Sequence, residues 1–237
     1  MNSLGIPMSH QYQIKEYCNI CGNNELIKYK NRPHEMCTKC KSKSRHRIAY
    51  IVYSNFLKPL ADKNVAKLLH LAPEKRLYPL LKDLFGAGYM PADANPSNFT
   101  HTKVLKLFFP KDFEIFPEDY FDVILHNHVL EHIPGHYKDH LNSFFKILKP
   151  GGLMIFSVPG PYLDKNTSEG GEHLATDQER VEKFFQKDHF KVFGRDFLEY
   201  ISQTPDGVLI PDGITDRIRA SCGVRPGKDP FFIWKKN

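Results

Sequence analysis

The stretch FDVILHNHVLEHIP at 121–134, continued by YKDHLNSFFKILKPGGLMIFSV at 137–158, decides how this chain is read. Phe121 to Leu125 is a short apolar run, which predicts a buried strand. Tyr137 to Leu148 repeats its apolar residues at helical spacing, which predicts an amphipathic helix. Lys149-Pro150-Gly151-Gly152 stops that helix, since proline has no N–H to donate and glycine readily leaves helical geometry. Leu153 to Val158 is a second apolar run, ended by Pro159-Gly160. Strand, helix and strand in this order predict a parallel βαβ unit.

The same alternation extends towards the N-terminus. Val65 to Leu71 reads as a buried strand, Leu77 to Phe85 as a helix, and Gly88 to Ala92 as a strand ending at Asp93. This βαβα order predicts an α/β fold, a doubly wound, mostly parallel, Rossmann-like sheet. Ligands in such sheets sit beyond the carboxyl ends of the strands. Asp93, with Ala94 beside it, lies 23 residues after His70, where an acidic residue accepts hydrogen bonds from ribose hydroxyls. A turn role before Asn95-Pro96 is the alternative. Asn127 and His128 face the same expected crevice, with helix capping as the alternative for Asn127. Asp122 is expected to be structural. Pro159 to Thr176 is the longest unpatterned stretch, and its place after a strand predicts a substrate lid.

A separate module precedes the sheet. Cys18, Cys21, Cys37 and Cys40 form C-x2-C-x15-C-x2-C, the spacing of a tetrathiolate zinc site. Four thiolates leave the ion no open position, so zinc there is expected to be structural. Tyr12, Ile14, Tyr17, Leu26, Ile27 and Tyr29 supply short strand-like positions around the turns. The expected organisation is a zinc ribbon over 1–44, a connecting helix over 45–62 with Ser44 as its N-cap, and a second domain over 63–237.

Composition is that of a globular protein, 41% hydrophobic and 25% charged. No stretch approaches the roughly 20 apolar residues of a membrane helix, and Met1 to His10 lacks the pattern of a signal peptide. Four of the five cysteines are in metal spacing, which suits a reducing compartment and predicts a cytoplasmic location. Cys222 reads as a small buried hydrophobe. Net charge is +6, with Lys39, Lys41, Lys43, Arg45 and Arg47 gathered around the second cysteine pair. They form either a solvated edge or a nucleic-acid footprint.

The segment from Phe121 to Gly152, with NHVLEHIP and LKPGG, resembles the fourth and fifth strands of class I S-adenosylmethionine (SAM) dependent methyltransferases. A narrower similarity is to bacterial methyltransferases that carry a zinc ribbon. It rests on the cysteine pairs, Arg45-His46-Arg47, His70-Leu71-Ala72-Pro73-Glu74, and Asp188-His189 with Gly194-Arg195-Asp196-Phe197. The resemblance implies a Rossmann-like methyltransferase sheet using SAM. It implies cofactor contacts from His70, Ala72, Pro73, Glu74, Asp93, Ala94, Asn127 and His128. The class usually has a G-x-G-x-G loop after its first strand. Here Ala72-Pro73-Glu74-Lys75-Arg76 stands instead, and Glu74 is expected to bind the SAM ammonium group.

For proton removal from the acceptor the candidates are His132, Glu131 and His189, because a base of near-neutral pKa suits a hydroxyl acceptor. The expected reaction is O-methylation of a small-molecule or sugar-type acceptor. Two alternatives stay open: an RNA acceptor guided by the basic ribbon, and a non-enzymatic binding module on a degenerate methyltransferase fold.

Overall fold

The computed structural model describes residues 16–61, 66–160, 165–225 and 230–237. In chain order its elements are β1 (Leu26–Tyr29), β2 (Arg32–Cys37), α1 (Ser44–Ala61), β3 (Leu68–Leu71), α2 (Tyr78–Phe85), β4 (Tyr89–Asp93), β5 (Leu105–Lys106), β6 (Phe121–Asn127) and α3 (Tyr137–Ile147). There follow β7 (Leu148–Ser157), α4 (Asp177–Phe184), α5 (Arg195–Gln203), β8 (Gly207–Ile210), α6 (Asp216–Ser221) and β9 (Phe232–Lys236), with short 3-10 turns between elements. No described helix is long and apolar enough to cross a membrane.

The chain divides into two compact units, Met1–Tyr50 with Ile214–Lys228, and Ile51–Gly213 with Asp229–Asn237. In the smaller unit β1 and β2 pair as an antiparallel hairpin, with Tyr29 opposite Arg32. Its two-residue tip, Lys30-Asn31, has both φ angles positive, the geometry that matches the right-handed twist of the flanking strands. Tyr12 and Ile14, expected to be strand positions, lie outside the described residues.

The segment Ile214–Lys228 joins this unit for a reason centred on Arg47. Its buried guanidinium donates to the carbonyl oxygens of His34, Glu35, Ser42 and Cys222 at 2.6, 3.1, 3.2 and 2.6 Å. The sequence reading ran the second domain unbroken from 63 to 237 and placed Arg47 in a basic surface run. Arg47 instead ties the hairpin to the chain near Cys222. At the start of α1, Ser44 Oγ donates to Glu35 Oε2 at 2.9 Å, and His46 Nδ1 accepts from the Lys43 N–H at 3.1 Å.

The larger unit holds a seven-stranded sheet of order β5-β4-β3-β6-β7-β9-β8. The first five strands in that order are parallel, and β9 is antiparallel to both its neighbours. This is the expected doubly wound, mostly parallel sheet. All four residues of β3 are buried, as are six of the seven in β6, as required of strands covered on both faces. Aromatic rings fill much of the core: Phe145 stacks on Trp234 with centroids 3.8 Å apart, and Phe109 stacks on Phe144 at 4.3 Å.

Several boundaries differ from the sequence reading. The strand expected from Leu153 starts at Leu148. The β6–β7 ladder jumps from Phe121–Leu148 to Val123–Leu153, so Lys149 to Gly152 bulge out of it. Pro150 has no N–H to give a ladder, and Gly151 takes a φ of 75°. Lys149 Nζ lies 2.9 Å from Asp122 Oδ2, which also accepts the Lys67 N–H at 2.8 Å, so Asp122 is structural as expected. β3 begins at Leu68, and Val65 lies outside the described residues.

Candidate functional site

The chain leaves β3 and β6, which are neighbours in the sheet, through residues in left-handed conformation. Ala72 has a φ of 50° and His128 a φ of 52°. For residues other than glycine this costs about 1–2 kcal/mol each, and such strain gathers at functional sites. Both turns are fixed by bonds to the next strand, Ala72 N–H to Ala92 O at 3.0 Å and His128 N–H to Ser157 O at 2.9 Å. Ala72 thus supplies, under strain, a backbone turn that a glycine loop supplies freely.

A polar network sits on these two exits. His70, buried in β3, places Nε2 2.8 Å from Glu74 Oε2 and Nδ1 3.0 Å from the Tyr89 hydroxyl. Asn127 Nδ2 donates to Glu74 Oε1 at 2.9 Å and to the Tyr53 hydroxyl oxygen at 2.5 Å, while Ser157 Oγ donates to Asn127 Oδ1 at 3.0 Å. Asn127 is therefore the last residue of β6 with its side chain fully engaged, which replaces the helix-capping alternative. Burial, and then the charge of Glu74, hold the Tyr53 and Tyr89 phenols well above their ordinary pKa, so both keep their protons. The Glu74 side chain is 15% exposed. The result is a carboxylate braced from two sides, with one edge towards solvent.

Asp93 ends β4, and its Oδ1 accepts the Asn95 N–H at 2.7 Å. The turn alternative is thus realised by one oxygen, while Oδ2 makes no hydrogen bond among the described residues. Nearby, His101 packs edge-on against Tyr78 at 5.5 Å and leaves a buried Nε2 without a partner among the described residues. Sequence reading passed over His101, and no pattern around it marks it out.

A second cluster follows β6. Glu131 is fully buried, and neither carboxylate oxygen has a hydrogen-bond partner among the described residues. One ligand atom each from Glu131, His132 and His189 lie within 4.8 Å of one another. Chain topology makes this meeting: the Phe190 N–H donates to Glu131 O at 2.7 Å, bringing a segment more than fifty residues distant against it. His128 Nδ1 is 3.3 Å from Glu131 Oε1. Burial lowers the His189 pKa, opposed in part by the charge of Glu131.

The GRDF segment acts as a clasp. Asp196 Oδ1 accepts the Thr167 N–H at 2.6 Å and the Thr167 hydroxyl at 2.7 Å. A Cβ on Gly194 would meet Lys165 O at 2.1 Å, so only glycine fits there. Arg195 forms an exposed pair with Glu199 at 3.5 Å. Within the expected lid, residues 161–164 lie outside the described residues. The later part is pinned: Glu169 Oε1 accepts the Tyr137 N–H and Glu172 Oε1 the Gly135 N–H, both at 2.8 Å.

In the smaller unit the four cysteine sulfurs also lie within 4.8 Å of one another. The Cys18–Cys40 and Cys21–Cys37 sulfurs are each 3.6 Å apart, too far for a disulfide and near the ~3.8 Å edge of a tetrahedron with ~2.3 Å zinc–sulfur bonds. The two turns match. Gly22 N–H donates to Cys18 O at 2.7 Å and Lys41 N–H to Cys37 O at 3.0 Å, with φ angles of 73° and 58°. Ser42 Oγ sits 3.2 Å from both the Cys18 and Cys40 sulfurs. This donor set fits a tetrahedral ion.

A family model described as a methyltransferase domain matches residues 11–203. A search of curated proteins finds no match. Among solved structures, a SAM dependent methyltransferase from Archaeoglobus fulgidus aligns at 13% identity over 84% of this chain and 96% of its own, with a TM-score of 0.53. A putative sarcosine dimethylglycine methyltransferase from Galdieria sulphuraria aligns at 12% identity over 81% of this chain and 86% of its own, with a TM-score of 0.47. A complex of the Haloferax volcanii Trm112 methyltransferase activator with a putative methyltransferase gives 12% identity, coverage of 81% and 93%, and a TM-score of 0.42.

Proposed function

This chain belongs to the methyltransferase-domain family, and from that premise we propose that it transfers a methyl group from SAM to an oxygen of a small-molecule or sugar-type acceptor. When bound, SAM supplies an electrophilic methyl carbon on a sulfonium. Glu74, braced by His70 and Asn127, holds its ammonium group by a charge-assisted hydrogen bond. Asp93, beside Ala94, offers its remaining oxygen to the ribose hydroxyls. The strained turns at Ala72-Pro73 and at His128 shape the backbone against which the cofactor lies. His132, His189 and the buried Glu131 handle the acceptor oxygen and its proton.

The observation that carries this reading is the Glu74 carboxylate, fixed by residues from two adjacent strand ends, His70 and Asn127, at 2.8 and 2.9 Å. Such bracing orients a carboxylate before a ligand arrives, which lowers the cost of binding. Calorimetric titration with SAM tests it: micromolar binding supports the reading, and no binding at millimolar SAM removes it. Zinc, in this proposal, is held by Cys18, Cys21, Cys37 and Cys40 and stabilises the smaller unit without entering the reaction. A cytoplasmic, reducing location keeps those thiolates available. An RNA acceptor is the weaker reading, because Arg47 is buried on carbonyls and Lys43 lies over the Tyr29 ring at 5.2 Å.

A further inference from the structure

We infer that Glu131, His132 and His189 form a divalent transition-metal site of two histidines and one carboxylate, separate from the four cysteines. Three observations carry it. The first is the carboxylate. Glu131 is 1% exposed on its side chain, and neither oxygen has a hydrogen-bond partner among the described residues. A buried carboxylate without donors requires a positive partner. His128 Nδ1 lies 3.3 Å from Oε1 and leaves Oε2 unmatched, while the Lys191 Nζ is taken up by the Ile133 and Gly135 carbonyl oxygens at 2.5 and 2.9 Å.

The second observation is tautomeric. His132 Nδ1 lies 2.8 Å from the Asp188 carbonyl oxygen. A carbonyl only accepts, so Nδ1 carries the proton. In the neutral ring Nε2 then presents a lone pair, and that atom lies 3.9 Å from Glu131 Oε1. His189 is buried beside it, on the segment whose Phe190 N–H donates to Glu131 O. A backbone carbonyl that fixes one ring nitrogen and frees the other is a usual support of a metal-bound histidine. Two lone-pair donors facing each other form a site that a cation can fill.

The third observation is spacing. Two ligands 3.9 Å apart can both lie about 2.0–2.2 Å from one ion. The set as a whole, within 4.8 Å, closes on an ion through small side-chain rotations. The His132 and His189 rings meet edge to face at 4.8 Å, so they approach from different directions. Imidazole and carboxylate donors select Mn2+, Fe2+, Co2+, Ni2+ or Zn2+ over Ca2+. His132 is 35% exposed, which leaves one side of the ion open. Resting on the methyltransferase reading, this side is where an oxygen of the acceptor binds. A bound ion then favours loss of the hydroxyl proton to water and leaves the oxygen lone pair for the methyl carbon. As the C–O bond forms, the S–C pair returns to sulfur as a neutral thioether.

Mn2+ is the probe, because thiolates hold it poorly and the cysteine cluster does not compete. Electron paramagnetic resonance of free Mn2+, titrated with the full-length protein, is expected to show one bound ion per chain in the micromolar range. Glu131→Gln and His189→Gln are each expected to weaken it at least about tenfold. Where either substitution prevents folding, His132→Asn, at the more exposed of the three positions, carries the comparison. No bound Mn2+ at millimolar concentration, or equal binding by wild type and all folded variants, overturns the inference. SAM calorimetry on the same samples separates the two readings. Mn2+ bound without SAM sinks the proposed SAM-dependent transfer and keeps the ion site, while SAM bound without Mn2+ does the reverse.

Discussion

Glu74→Gln separates the fold from the proposed cofactor site. In the wild type, Glu74 accepts from Asn127 Nδ2 at 2.9 Å and meets His70 Nε2 at 2.8 Å. Glutamine can keep both contacts. Its oxygen accepts from Asn127, and its amide donates to His70 Nε2, provided His70 moves its proton to Nδ1 and donates to the Tyr89 hydroxyl oxygen, 3.0 Å away. The hydroxyl, a donor and an acceptor, accommodates the change. Stability is therefore expected to fall by no more than about 1 kcal/mol, the net worth of one neutral hydrogen bond. The cofactor loses more. A hydrogen bond between ammonium and carboxylate is worth about 1.5–3 kcal/mol, and each 1.4 kcal/mol is roughly tenfold in affinity. SAM and its demethylated product, which share the ammonium group, should both bind about 10–150-fold more weakly. Methylthioadenosine, which lacks the amino-acid part, should bind as it does to wild type. Calorimetry with the three ligands and urea unfolding read both halves. A SAM affinity within threefold of wild type, on a folded variant, would refute the role given to Glu74.

Three further outcomes are expected. His126 is sandwiched between Phe144 and Phe156 at 4.7 and 4.8 Å with both nitrogens unpartnered among the described residues, and burial pushes its pKa down to about 3. The folded form thus keeps it neutral. Its contribution is intact above the unfolded pKa near 6.5 and is lost as pH falls towards 3, by roughly 2 kcal/mol between pH 6.5 and 5. His126→Phe should flatten urea-unfolding stability against pH over that interval, and an unchanged slope would show that His126 is not the buried neutral group. Asp196→Ala removes two acceptor contacts to Thr167 and should cost about 2 kcal/mol in urea unfolding, with Asp196→Asn costing less. Cys37→Ser should remove zinc from the purified protein and open the chain between 16 and 50 to protease, since binding of a structural zinc contributes on the order of 10 kcal/mol to folding. Retained stoichiometric zinc in that variant would contradict a four-thiolate site.

What could be read from the sequence follows from which forces are local. The strands around Leu69, Ile124 and Ile155 announced themselves because a parallel strand covered on both faces must be continuously apolar. The cysteine pairs were equally legible, since metal geometry dictates their spacing. β5 has only two residues, Leu105 and Lys106, both exposed, and carries no apolar signal. β8 and β9 do carry one, at Val208 to Ile210 and Phe232 to Trp234, but the segment that leaves for the smaller unit separates them. Arg47 shows the limit of counting charge: five alternating basic residues look like a surface, and only the fold shows one of them buried among carbonyls. His70 and Glu74 could be paired by proximity in the chain. Glu131 and His189 could not, because more than fifty residues lie between them and only the packing of Phe190 against Glu131 joins them.

The two halves of the candidate site meet at one peptide. Successive side chains of a strand point to opposite faces, so Asn127 and His128 would ordinarily project to opposite sides of the sheet. The left-handed turn at His128, φ 52°, breaks that alternation at the carboxyl end of β6. Asn127 reaches Glu74, and His128 Nδ1 approaches Glu131 Oε1 at 3.3 Å. In the proposed reading Asn127 braces the methyl donor's end and His128 borders the acceptor's end. Methyl transfer is an in-line displacement, whose rate depends on holding donor, carbon and acceptor in register. A single strained residue between the two half-sites fixes their spacing more tightly than two independent loops would. In that reading the strain at His128 has a function, since about 1–2 kcal/mol of backbone cost is small beside the ~7–11 kcal/mol that correct positioning can remove from a barrier.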